Sequence, residues 1–244
     1  MKIKSFVCSA ALALTAILGL SARAEDTVTN VPWTGSVAAG LTFTRGNSRT
    51  LLGTVNVEAD KKTKEDEWLL GAGAAYGKNT GVVNAKSIDG HGQYNRLLTE
   101  RWYYGAKLDG LSDGVAGINY RLTLSPLAGY YLIKGTNDNL AVEAGPSAVI
   151  QKLGPTTTGY AALRFGERYD HKISSTAKLW QSFEFYPQVD KFKNYYWTAE
   201  IGVEAAITQD WSLRSFIQDS YYAIPAAGRL KNDIKLVTGI AYKF

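Results

Sequence analysis

The end of this chain constrains its fold most. From Asp233 to Phe244, residues Ile234, Leu236, Thr238, Ile240, Tyr242 and Phe244 fall on one side of an extended backbone. Asp233, Lys235, Gly239 and Lys243 fall on the other. Alternation with period two marks a strand with two unlike faces. A bare last strand is a template for aggregation, so the expectation is that it pairs with the first strand and closes the sheet.

The same alternation recurs along the chain. A first strand, Trp33 to Arg45, sets Trp33, Val37, Ala39, Leu41 and Phe43 on one face, and Gly46-Asn47-Ser48 turns it into a second that runs to about Asp60. The third opposes Trp68, Leu70, Ala72, Ala74 and Tyr76 to Gly71, Gly73 and Gly77, small residues that suit a narrow interior. Lys78 to Lys86 reads as a polar connection, after which Ser87, Asp89, His91, Gln93 and Asn95 share a face that must be wet. A fifth strand turns Trp102, Tyr104, Ala106 and Leu108 away from Lys107 and Asp109, and Gly110 to Asn119 reads as a loop. In the sixth, from Tyr120 to about Ile133, Pro126 cannot donate to a ladder and predicts a bulge.

Strand seven, Leu140 to Gln151, carries Pro146 as a second exception, and strand eight, about Tyr160 to Asp170, sets Leu163, Phe165 and Tyr169 against Arg164, Arg168 and Asp170. Strand nine, Thr176 to Tyr186, has an open register, because Gln181 shares a face with Leu179, Phe183 and Phe185 while Trp180 sits with Glu184. Strand ten, from Tyr195 to Ile207, alternates cleanly, and strand eleven runs from Leu213 to Tyr222. The count is about twelve, and the fold class is all-β, an antiparallel transmembrane barrel.

Residues 1–24 read as a signal peptide: Lys2 and Lys4, an apolar run from Phe6 to Leu20, then Ala22-Arg23-Ala24 as a cleavage site. Residues 25–32 form a polar lead, and 33–244 the barrel domain. The single cysteine, Cys8, lies in the leader, so the mature chain is expected to lack thiols and disulfides. Cleavage lowers the formal charge from +5 to about +2, which removes the case for a nucleic-acid partner. With two histidines and scattered carboxylates, no metal site or cofactor is expected.

Periodicity does not say which face looks inward. In a membrane barrel the polar face lines the lumen, which would place there Glu58, Asp89, His91, Gln93, Lys107, Asp109, Glu143, Arg164, Arg168, Glu184, Glu200, Glu204 and Lys235. Aromatic placement favours that arrangement. If the chain sets out from the periplasm, Trp33, Trp68, Trp102, Trp211, Tyr242 and Phe244 fall at one level, as an interfacial belt does. Tyr76, Tyr186, Tyr195, Tyr221 and Tyr222 would form the opposite belt.

Several stretches recur in order along a known family. They are Gly46-Asn47-Ser48 before a Thr-bearing strand, Arg101-Trp102-Tyr103-Tyr104 leading through Asp113 to Asn119-Tyr120-Arg121, and Gly129-Tyr130-Tyr131-Leu132-Ile133. Glu143-Ala144-Gly145 and the ending Gly239-Ile240-Ala241-Tyr242-Lys243-Phe244 complete the set. On these the chain resembles the YdiY-like salt-induced outer-membrane protein family, a domain of unknown function, with Pro126 as a departure. The resemblance implies an outer-membrane location and induction under salt stress, and supplies no catalytic residues. The closing strand with its terminal Phe also resembles the signal that outer-membrane barrels present to their assembly machinery, which with membrane lipids makes the expected partners. Oligomeric state is left open.

Two functional classes follow. The first is a non-enzymatic barrel, either a narrow passage for ions or small solutes or a structural component of a stressed envelope. The second is a barrel-embedded lipid hydrolase centred on His91 with Ser87 and Asp89. Residues two and four apart on a strand lie about 7 and 13 Å apart, so their spacing builds no triad, and a structural histidine is favoured. His171 is expected in a turn.

Overall fold

The computed structural model describes residues 31–46, 50–79 and 82–244; the leader and the polar lead up to Asn30 lie outside them. Twelve strands follow one another: β1 (Thr34–Arg45), β2 (Thr50–Lys62), β3 (Asp66–Asn79), β4 (Val82–Leu97), β5 (Trp102–Asp113) and β6 (Ile118–Lys134). Then come β7 (Asp138–Leu153), β8 (Thr156–Lys172), β9 (Ala177–Pro187), β10 (Tyr195–Ala206), β11 (Trp211–Tyr222) and β12 (Asn232–Lys243). Each pairs antiparallel with its neighbours in sequence, and β12 returns to β1, giving a closed barrel. The closing seam runs from Ser36 opposite Lys243 to Arg45 opposite Ile234, and Gly35 and Phe244 exchange backbone hydrogen bonds beyond it. No edge is left for another chain to join.

The start of β1 and the end of β12 thus share one mouth, here the terminal end; the other is the far end. One row of paired residues shows the tilt. Trp102, first in β5, pairs with Tyr130, and the row continues through Val142, Glu167, Phe183, Ala199, Asp219 and Ile234 to Arg45, last in β1. It climbs from the terminal end to the far end as it passes around the wall, the stagger a closed barrel requires.

Side chains alternate as the sequence predicts, with the apolar set outside. Leu41, Val55, Ile88, Leu108, Leu124, Ile150, Ile201, Val203 and Leu236 are exposed on the exterior, whereas Thr42, Asn95, Ser125, Arg164 and Glu204 are buried inside. Strand nine fits the register in which Leu179, Gln181, Phe183 and Phe185 face out and Trp180, Ser182, Glu184 and Tyr186 face in.

Some expectations are corrected. The connection expected from Lys78 to Lys86 is almost entirely strand, and β5 and β6 take most of the loop expected from Gly110 to Asn119. His171 is the penultimate residue of β8 rather than part of a turn. No bulge forms at Pro126. Pairing of β6 with β7 lapses between Leu124 and Ala128 and resumes in unchanged register, because Pro146 stands opposite Pro126 and the two missing donors fall at one place. The irregularities of β6 lie instead at Ile118/Tyr120 and Tyr131/Ile133.

Candidate functional site

The inner face carries every residue expected to line a lumen, and organises most of them into two networks. The first begins at Arg164 on β8, whose Nη2 donates to Glu143 Oε2 at 2.7 Å and to Glu184 Oε1 at 2.6 Å. Lys107 Nζ reaches the same Glu184 oxygen at 2.5 Å and Asp109 at 3.0 Å. Glu143 also accepts from Gln93 at 2.7 Å and from Tyr103 at 2.8 Å. Gln93 donates on to Asn95, Asn95 to Glu67, and Glu67 accepts from Tyr131. These residues come from each strand from β3 to β9. Arg168, two inward positions along β8 from Arg164, keeps one Nη without a partner among the described residues, as does Arg164.

The second network closes the barrel. Glu204, 2% exposed, is held by Arg214 at 2.8 Å and by Lys243 at 2.5 Å, with Lys178 at 3.7 Å. Arg214 also reaches Glu58 at 2.9 Å and Ser36 at 3.2 Å. It thereby ties β9 to β12 with β1 and β2 across the closing seam.

The lumen is filled unevenly. Tyr103, Leu127, Tyr131 and Ala141 form one buried cluster on β5 to β7, and Val149, Ala162, Tyr186 and Tyr196 a second on β7 to β10. Ser125 and Ser147 are hydrogen-bonded at 2.7 Å between them. Nearer the far end, Arg121 lies over the rings of Tyr196 and Tyr222 at 4.4 and 4.7 Å. What remains open is a cavity of about 490 Å³. Its lining reaches from Asp170 and Lys178 near the terminal end to Asp113 and Asp233 near the far end, past Glu58, Asp89, His91, Lys107, Asp109, Glu200 and Lys235.

Glycines keep that space clear. A Cβ on Gly71 would stand inside the His91 imidazole, and one on Gly202 inside the Trp180 indole. Each ring therefore lies flat on a neighbouring strand instead of projecting across the bore. Trp180 Nε1 donates to Glu200 at 2.7 Å and Gln218 Nε2 at 3.2 Å, so among the described residues this carboxylate has neutral donors only. Asp89 packs its carboxylate against Gly73 and makes no ion pair among the described residues. His91 makes no hydrogen bond to Ser87 or Asp89 among the described residues, so the three do not assemble a nucleophile and base. His171 lies on the outer face, bonded to Asp138 at 2.7 Å. Among the described residues no group of three or more acidic, histidine or cysteine side chains is placed to hold a metal ion.

Outside, Trp33, Trp68, Trp102, Trp211, Tyr242 and Phe244 are all exposed around the terminal end, with Trp68 against Tyr94, Trp102 against Tyr130 and Trp211 against Tyr242. At the far end the expected belt is corrected. Tyr76, Tyr195 and Tyr221 are outside, but Tyr186 and Tyr222 have the opposite parity and face the lumen. Tyr120 and Trp197 complete the outer ring there, Trp197 stacked on Tyr221.

The family described as "Protein of unknown function, DUF481" matches residues 37–244. No curated protein matches the chain. Among solved structures, the NanC porin is similar with a TM-score of 0.57 at 11% identity, over 86% of this chain and 100% of that one. The KdgM porin gives 0.49 at 8% identity over 86% and 99%. The translocator domain of the autotransporter NalP from Neisseria meningitidis gives 0.44 at 13% over 87% of each chain. The likeness to NanC is one of fold.

Proposed function

From the premise that this chain belongs to the DUF481 family, whose description assigns no activity, we propose that it is an outer-membrane barrel offering ions and small polar solutes a narrow, off-centre passage. The observation that carries this reading is the cavity, bounded on one side by packed residues and reaching towards both mouths along the other. The location rests on the exterior. Leaving a Val, Leu, Ile or Phe in water forgoes about 1.5–3 kcal/mol of burial, and the barrel exposes such residues on every strand. Hydrocarbon removes that cost, and the two aromatic rings suit the headgroup levels that bound it. The terminal end then faces the periplasm, and β12 with Phe244 is the segment offered to the assembly machinery.

The charge pattern favours cations. Three bases are each shared by two acids: Lys107 by Asp109 and Glu184, Arg164 by Glu143 and Glu184, and Arg214 by Glu58 and Glu204, the last of which also holds Lys178 and Lys243. Asp89 and Glu200 add charge with no base of their own. Along the cavity the inward carboxylates outnumber the lysines and arginines, and a surplus of carboxylate in a narrow bore attracts cations and repels anions. The reading is non-enzymatic; among the described residues the hydrolase alternative has no hydroxyl bonded to His91 to support it.

Single-channel recording of the reconstituted protein tests the proposal, with small, cation-preferring conductance steps expected. Absence of steps would overturn the passage and leave a structural role, which the two networks binding all twelve strands also suit.

A further inference from the structure

The exterior breaks its own pattern at one level. Glu167 on β8 faces outward between Val142 and Phe183. On the row that climbs from Trp102 to Arg45 it follows Tyr130 and Val142 and precedes Phe183 and Ala199, so it stands inside the apolar band rather than at a rim. Its carboxylate accepts from Gln181 Nε2 on β9 at 3.0 Å and meets no cation within ion-pair distance among the described residues. Phospholipid headgroups lie beyond the aromatic rings. The carboxylate is turned sideways to Gln181 rather than towards them.

A second polar pair occupies the outer face of β11 and β12, where the hydroxyls of Ser215 and Thr238 are 2.9 Å apart. Ser215's row passes through Val203 to Leu179, dropping about 3 Å per strand at a tilt near 40°. Gln181 is two residues further up β9, which recovers about 5 Å. The two polar pairs therefore flank β10 at nearly one height. Between them β10 presents only Ala199, Ile201, Val203 and Ala205.

We propose that this face, centred on β10, packs against the same face of a second copy of the chain in a two-fold dimer. A two-fold axis parallel to the barrel carries the β9 side of one copy onto the β11 side of the other without changing height. Gln181 of each copy then faces Ser215 of the other, hydroxyl donor to amide oxygen, while Glu167 and Thr238, one strand further round the curve, hold those two side chains in place. The contact is made twice. Hydrocarbon offers these groups no water, and polar side chains on lipid-facing surfaces act as adhesive between protein elements. The proposal needs the barrel to lie in a membrane but not to conduct.

Disulfide trapping tests it in the full chain. Cys8→Ser removes the only cysteine, Ile201→Cys marks the centre of the face, and Leu108→Cys on β5, 54% exposed against 48%, marks the far side of the barrel. Oxidation in native membranes is expected to convert most of the Ile201→Cys protein to a dimer and leave Leu108→Cys monomeric. Adding Gln181→Leu and Ser215→Ala should cut the dimer yield at least tenfold, with heat-modifiable gel migration showing that each variant is folded. A monomeric Ile201→Cys protein, equal trapping at both positions, an adduct with a different protein, or a yield indifferent to the polar substitutions would each overturn the proposal.

Discussion

Replacing Glu200 with Gln removes a charge from the bore while keeping the shape: its Oε1 still accepts from Trp180, and its Nε2 donates to the Gln218 carbonyl oxygen once that amide turns over. A permeating ion passing about 5 Å from a carboxylate in water feels roughly 0.8 kcal/mol. Screening at 0.1 M salt, where the Debye length is about 10 Å, leaves on the order of 0.5 kcal/mol. Because a cation gains what an anion loses, the potassium-to-chloride ratio should fall about fivefold. Asp89→Asn, on the opposite wall, should act in the same sense, and the pair together should multiply. The assay is the reversal potential across a tenfold potassium chloride gradient in planar bilayers. At 1 M salt the Debye length is about 3 Å, so the effect should nearly vanish. An unchanged reversal potential in the double variant at low salt would refute the claim that these carboxylates face the path.

Other perturbations act on the buried network, the wall of the bore, the lipid face and the closing strand. Arg164→Ala strands Glu143 and Glu184 in a buried network, and should lower stability by about 3–5 kcal/mol, seen as an earlier loss of the compact, heat-modifiable gel band. Gly71→Val puts side-chain atoms where the His91 ring lies, so the ring must swing into the bore; smaller single-channel steps are expected, with a stability cost of about 1–3 kcal/mol. Leu236→Arg, at a lipid-facing position, should cost about 2–4 kcal/mol if it sits near the midplane, whereas Lys235→Leu, facing the lumen, should leave urea midpoints in vesicles nearly unchanged. Deleting Phe244 should slow assembly in cells far more than spontaneous folding into lipid vesicles, as measured by pulse-chase against refolding rate.

Alternation made the strands and their two faces legible in the sequence, because period two survives any choice of register. What depends on register was not legible. Nothing local says that Gly71 lies beside His91, or that Pro146 stands opposite Pro126 and removes the need for a bulge. Tyr221 shares parity with Trp211 and Leu213, which sends Tyr222 inward, away from the outer ring expected for it. Glu167 was equally readable, since it shares parity with Leu163, Phe165 and Tyr169. The networks run between strands far apart in sequence, such as Glu67 with Tyr131 and Lys107 with Glu184, so side-chain reach across the bore, not pattern, decides them.

The lopsided filling of the lumen separates two properties that a hollow cylinder would couple. Rigidity is vested in the half where tyrosines and serines interlock, and gauge in the half where Gly71 and Gly202 let flat rings hug the wall. Substitutions on β2 and β4 and at Gly202 could thus retune what size of solute fits while the keel of packed side chains on β5 to β10 goes on holding the cylinder's cross-section.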